Sequence, residues 1–190
     1  LQDLQVTEGK EFMPQTSQQE NTIQFNYFMG DQLINIKYRD GRKNFKLYKG
    51  AEKVFYNINS VVGYDWCVVV EGEMDVLALH EAGIKNAISV PNGATLNSNN
   101  LDYLDNCIDY LDDKTKIVLA VDADDAGQAL KQEFIRRLGA EVCFLVDFNG
   151  QKDANEYLIE HGAAELRNAI HTATQVPLEG VTTLYDIQDE

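Results

Sequence analysis

Hydrophobic and polar positions divide the chain into two grammars. Up to about Asp65 the apolar residues alternate with polar ones. Ile23, Phe25 and Tyr27 form one such run, and Ile34, Ile36 and Tyr38 form the next. Gly30-Asp31 lies between them, so a β-hairpin is predicted, with Leu33 out of phase beside the turn. Asp40-Gly41 marks a second turn into KNFKLY, and VFYNI reads as a possible short strand. Beyond Asp65 short, fully apolar runs (CVVV, AISV, IVLAV, EVCFLV) alternate with helical patterns. Helices are predicted over 74–82, about 98–111, with Leu101, Leu104, Ile108 and Leu111 on one stripe, and about 125–138, with Ala126, Leu130, Phe134 and Leu138 inward. Two shorter ones are expected near Asn155 and Ala163. Gly83 and Gly139 stand where a left-handed helix-ending residue belongs.

Continuous apolar strands alternating with helices imply an α/β fold, a central parallel sheet flanked by helices, preceded by a small β-rich N-terminal lobe. The strands are expected near 67–71, 87–90, 117–121 and 141–146. We read residues 1–20, polar and Gln-rich, as a flexible linker, 21–62 as the β-rich basic lobe, 63–172 as the α/β domain, and 173–190 as a connector. The longest apolar runs, such as Trp66–Val70, are five residues, so no membrane partner is expected. No basic-then-apolar leader opens the sequence, and a start at Leu1 is expected of a piece cut from a longer protein.

Composition changes the picture at one place. The net charge is −15 over 190 residues, yet Lys37 to Lys53 holds seven basic residues against two acidic ones. This asymmetry suits an anionic ligand on one face, and a solvated charged hairpin explains it as well. Cys67, Cys107 and Cys143 form no C-x-x-C pair and read as buried thiols, so no zinc is expected in this piece. His80, His161 and His171 show no ligand spacing.

The candidate chemistry is acidic. Two predicted strands run into Glu71-Gly72 and into Asp122-Ala123-Asp124, and strand ends of one parallel sheet share an edge. Carboxylates converging there need a counter-charge, and an oxygen-only set selects Mg2+ or Mn2+. The plain alternative is that Asp124 or Asp125 caps the following helix. Gly72 suits a tight strand-to-helix turn.

The strings VVVEGEMDVLALHEAGIKNAIS, VLAVDADDAG and KDANEYL resemble the Toprim catalytic domain of DNA primases, over about residues 22–175 and most strongly over 68–158. The spelling EGEMD and KDANE is similar to the phage-type, Twinkle-like primase–helicases, related to bacterial DnaG-type primases. That resemblance implies a Toprim fold and primer synthesis, in which ribonucleoside triphosphates are joined on a single-stranded DNA template by metal-dependent nucleotidyl transfer. It implies Glu71, Asp122 and Asp124 as catalytic metal-holding residues, with Asp75 and Asp153 completing the site. In KNFKLYKGAEKVFYNI, Lys43 and Lys46 match the family's nucleotide- and DNA-binding lysines, with Lys49 close behind and Arg39 or Lys53 able to take one of these roles. Lys152 and the loop at Asn92-Gly93-Ala94 would face phosphates. The family's zinc-binding and helicase domains are expected elsewhere in the same polypeptide, since no G-x-x-x-x-G-K-[ST] occurs. The expected location is the cytoplasm of a bacterial or phage-infected cell. Two rivals stand beside a primase: a Toprim nuclease or topoisomerase, and a non-catalytic DNA-binding module tethered to a helicase.

Overall fold

The computed structural model describes residues 1–92 and 101–177. An antiparallel sheet comes first: β1 (Val6–Met13), β2 (Gln18–Met29), β3 (Gln32–Asp40) and β4 (Phe45–Leu47), paired in that order. A second sheet holds β5 (Trp66–Val70), β6 (Ala87–Ser89), β7 (Lys116–Leu119), β8 (Cys143–Leu145) and β9 (Thr174–Gln175), in the order β6-β5-β7-β8-β9. Its first four strands are parallel, and β9 closes the edge antiparallel to β8. Around it lie α1 (Glu73–Glu81), α2 (Asp102–Asn106), α3 (Asp125–Leu138), α4 (Ala154–His161) and α5 (Ala163–His171). The α/β architecture with an N-terminal β lobe is the one expected, and β5 and β7 are direct neighbours.

Four local expectations are corrected. Residues 6–13, read as linker, form β1, whose eight residues all pair with β2. It is an edge strand, mostly exposed between its ends at Val6, which packs against the core, and the buried Met13, so it carries no apolar alternation, and backbone hydrogen bonds decide it. Of the helix expected over about 98–111, residues 98–100 lie outside the described residues, and the described part is α2 followed by a 3₁₀ turn at Ile108–Tyr110, with Ile108 outward and Cys107 inward. VFYNI is no strand: Tyr56 makes a single antiparallel bridge to Ser89, Asn57 then turns left-handed at φ +62°, and Ile58 opens a 3₁₀ turn over Ile58–Val61. Part of the expected connector, Thr174–Gln175, is β9, and residues 178–190 lie outside the described residues.

The hairpin holds the most consequential difference. A two-residue turn at Gly30-Asp31 pairs Met29 with Gln32, and an unbroken register would then set Tyr27 against Ile34 and Phe25 against Ile36. A bulge between Tyr27 and Phe28 shifts the pairing by one, so Tyr27 faces Asn35 and Phe25 faces Lys37. One residue of slip exchanges the two faces of a strand. The buried face of β3 therefore carries Asn35 and Lys37, while Ile34 and Ile36 are only half-buried.

The lobes share one core. Phe25 and Tyr27 pack edge-on against Tyr56, with ring centroids 5.7 and 5.3 Å apart, and Phe55 meets Tyr103 and Phe134 at 5.0 and 6.2 Å. Val54, Phe55, Tyr56 and Ile58 are wholly buried, so this segment fastens the lobe to the sheet; each such side chain contributes about 1.5–3 kcal/mol of burial. The α3 stripe turns Leu130 and Phe134 inward as expected. Gly83 and Gly139 end their helices at φ +87° and +96°.

Candidate functional site

The site grows from the C-terminal edge of the parallel sheet. β5 ends at Val70, and Glu71-Gly72 turns the chain into α1. A side chain at residue 72 would meet the Asp75 carboxylate at 2.9 Å, which is why the turn carries glycine. At the end of the adjacent strand β7, the backbone N–H of Ala120 still donates to the Val69 carbonyl at 2.9 Å, and the chain then turns away at Asp122. The Asp122 N–H donates to Glu71 Oε1 at 3.0 Å, tying the two strand ends together. Gly127, the third residue of α3, permits this: a Cβ there would lie 2.2 Å from the Asp122 carbonyl and 2.6 Å from Glu71 Oε1. The loop before α4 joins the same edge, since the Ala123 N–H donates to the Lys152 carbonyl at 3.0 Å.

Among the described residues, the acidic side chains that converge are Asp75, Asp122 and Asp153, with one oxygen of each within 4.8 Å of the others. The trio expected from the sequence, Glu71, Asp122 and Asp124, is not the tight group. Glu71 turns to the Asp122 backbone, and Asp124 Oδ1 caps α3 by accepting from the Gly127 N–H at 3.0 Å. The capping alternative is therefore what Asp124 does here. Asp153 likewise caps α4, accepting from the Glu156 N–H at 2.8 Å. Asp75 is buried, and its Oδ1 accepts from the Asn155 N–H at 3.0 Å. Burial first, and then the charges of Asp153 and Asp122, push its pKa up to about 8. Asp122 is also raised, by burial, against the opposing pull of Lys152. The Lys152 Nζ lies 2.8 Å from Asp122 and 4.0 Å from Asp124, a cation placed on the acids it follows in sequence. The donor set is all oxygen, one member is held protonated near neutrality, and the charges repel; a divalent cation of the Mg2+ or Mn2+ kind fits it.

Across a cleft of about 610 Å³ stands the basic lobe. Lys37, Arg39, Lys43 and Lys46 line it on one side, and Glu71, Asp75, Asp122, Lys152 and Asp153 on the other. Lys43 sits in a left-handed turn at φ +64°, built on Asp40, whose carboxylate accepts from the N–H groups of Arg42 and Asn44 at 2.8 and 2.9 Å. Lys46 is engaged elsewhere: its Nζ lies 2.6 Å from Glu11 and 3.0 Å from the Phe12 carbonyl. Lys49 is exposed beyond β4 and does not line the cleft. Asn92 reaches the rim, and Gly93 lies outside the described residues.

Sequence reasoning missed one arrangement. Glu73, buried in the first turn of α1, accepts from Lys37 Nζ at 2.9 Å and from the Tyr27 hydroxyl. Burial and the Glu73 carboxylate hold the Tyr27 hydroxyl well above its usual pKa, so it stays a donor. This buried trio locks the lobe to the helix that carries Asp75. A lysine opposite Phe25 becomes visible only once the bulge sets the register.

With this geometry described, the kinship is plain. Residues 68–158 match the Toprim-like family, and this chain carries a Toprim domain. Over 177 residues it is 38% identical to the primase homolog protein of Arabidopsis thaliana, covering 84% of this chain and 52% of the relative. Over 188 residues it is 35% identical to the chloroplastic/mitochondrial Twinkle homolog protein of the same plant, covering 90% of this chain and 26% of the relative. The chain thus spans about half or less of these relatives. The fold matches the primase fragment of the bacteriophage T7 primase-helicase protein with a TM-score of 0.75 at 24% identity, over 89% of this chain and 68% of that one.

Proposed function

We propose that the chain is the primer-synthesising core of a DNA primase, a magnesium- or manganese-dependent nucleotidyltransferase that belongs to a larger primase–helicase. The observation that carries this reading is the cleft of about 610 Å³, in which lysine and arginine side chains and converging carboxylates line the same space. Asp75, Asp122 and Asp153 would hold the metal, with Glu71 and Asp124 at its border. When bound, such an ion neutralises charge on a triphosphate and lowers the pKa of an attacking hydroxyl. The residues of the chain do the positioning. Lys43 and Arg39 offer point charges to phosphates of a single-stranded DNA template or of ribonucleoside triphosphates, and Lys152 exchanges its carboxylate partners for phosphate as substrate arrives. Glu71 fixes the backbone at Asp122, so the acids keep their spacing.

Template selection and strand opening fall to zinc-binding and helicase domains of the same polypeptide. No helix among the described residues is long and apolar enough to cross a membrane. The cytoplasm of a bacterial or phage-infected cell is the compartment we assign; one relative is named for chloroplasts and mitochondria, and fractionation of cells expressing the whole protein decides between them.

The test is primer synthesis on single-stranded DNA by the full-length protein, wild type beside Asp122→Asn, which removes a charge from the converging acids. Primers from wild type and none from the variant are expected. DNA binding without primers from the wild type would favour the non-catalytic module instead. Manganese calorimetry on wild type and Asp122→Asn tests the metal separately, and equal binding by both would sink that assignment.

A further inference from the structure

We propose that Phe45 is a stacking platform for a nucleobase at the basic wall of the cleft. The inference rests on the primase reading and adds to it the place where a base, rather than a phosphate, is held.

Phe45 opens β4 and pairs with Arg39, so both stand on one face of the sheet, and Lys37, two residues along β3, shares that face. The Lys37 Nζ lies 5.3 Å from the centre of the Phe45 ring and the Arg39 guanidinium carbon 5.9 Å. The ring lines the same cleft as the acidic cluster, yet it is 45% exposed and takes no part in the core. A singly exposed phenylalanine is ordinary on any surface. This one is set into the most basic stretch of an acidic chain, beside the Arg39 guanidinium, in the cleft that the carboxylates also line. Its backbone is fixed as well, since Gln15 Nε2 donates to the Phe45 carbonyl at 2.8 Å. Single-stranded nucleic acid alternates flat apolar bases with anionic phosphates, and grooves that hold it alternate aromatic faces with cations. Phe45 beside Arg39, with Lys43 lining the same cleft, has that alternation. Stacking accepts any base, so the platform would steady a strand or a nucleotide without selecting its sequence.

Stacking and charge respond differently to salt, and this separates them. Binding of a labelled single-stranded oligonucleotide, and of ATP in parallel, is measured at several salt concentrations for wild type and for Phe45→Ala, Phe45→Leu and Phe45→Trp. Alanine and leucine should each weaken binding by about 5- to 150-fold in at least one arm, the range for removing one base-stacking ring, with the salt slope unchanged. Tryptophan should retain the affinity. The arm that loses affinity identifies whether the base belongs to the strand or to the nucleotide. A 2-aminopurine base in the affected ligand should be quenched by the wild type, a readout that needs no variant to fold. Leucine binding as well as phenylalanine, a slope that falls with the ring, or absence of quenching would each overturn the platform while leaving the primase reading intact. A wild type that binds neither oligonucleotide nor ATP would instead overturn the primase reading, and the platform with it.

Discussion

Replacing Lys37 with methionine keeps the aliphatic stem and removes the charge that Glu73 faces. In the structure the Lys37 side chain is 11% exposed and that of Glu73 is 3% exposed, with 2.9 Å between Nζ and Oε1. Breaking a buried ion pair by deleting one partner costs about 3–5 kcal/mol, because the surviving charge is left without a counter-ion. Lys37 borders the cleft, so water can reach part of the vacated space, and Tyr27 still donates to Glu73; the lower end, about 3 kcal/mol, is expected. For a domain of this size each kcal/mol moves the midpoint by about 2–4 °C, so Tm should fall by about 6–12 °C. The double variant Lys37→Met/Glu73→Gln removes both charges and should recover at least half of that loss. Thermal and urea unfolding of the wild type, both single variants and the double variant complete the cycle. A loss below about 1 kcal/mol for Lys37→Met, or simple additivity in the double variant, would refute the claim that this pair clamps the lobe to α1.

Asp75 predicts an unusual pH dependence in the metal-free chain. Its pKa is about 8 when folded and about 4 when unfolded, so the native state binds the extra proton between those values and stability should fall as pH rises from about 4 to 8. Asp75→Asn should remove most of that slope in thermal melts, and an unchanged slope would count against the assignment. Gly127→Ala forces a methyl group against the Asp122 carbonyl, for which overpacking costs of about 1–3 kcal/mol are usual; unfolding should show it, and manganese affinity should fall as the strand end shifts. Lys43→Ala should lower the salt slope of single-strand binding by about 0.7, while Lys46→Ala, whose ammonium is already on Glu11, should lower it less. Equal effects from the two lysines would mean that the Glu11 contact gives way to phosphate.

The acids at the ends of β5 and β7 were legible because a parallel sheet brings its strand ends to one edge whatever the side chains are. The helices whose stripes run the full length, such as α3, were legible because a 3.6-residue period is written locally. β1 was not, because an edge strand is held by backbone hydrogen bonds that leave no apolar pattern. The grouping of the carboxylates was not legible either. Glu71, Asp122 and Asp124 are the acids that stand out in the sequence, yet Asp75, Asp122 and Asp153 converge. Helix capping and a backbone bond claim Asp124 and Glu71, and the loop before α4 carries in Asp153, 31 residues beyond Asp122. The phase of β3 turned on one bulge, which sets Lys37 opposite Phe25 and into a buried ion pair with Glu73. The sequence by itself determined the chemistry available and the edge at which it would gather. Only the tertiary structure decided which acids meet, which lysine is buried and which face the cleft, because register, capping and packing are settled between elements and not within them.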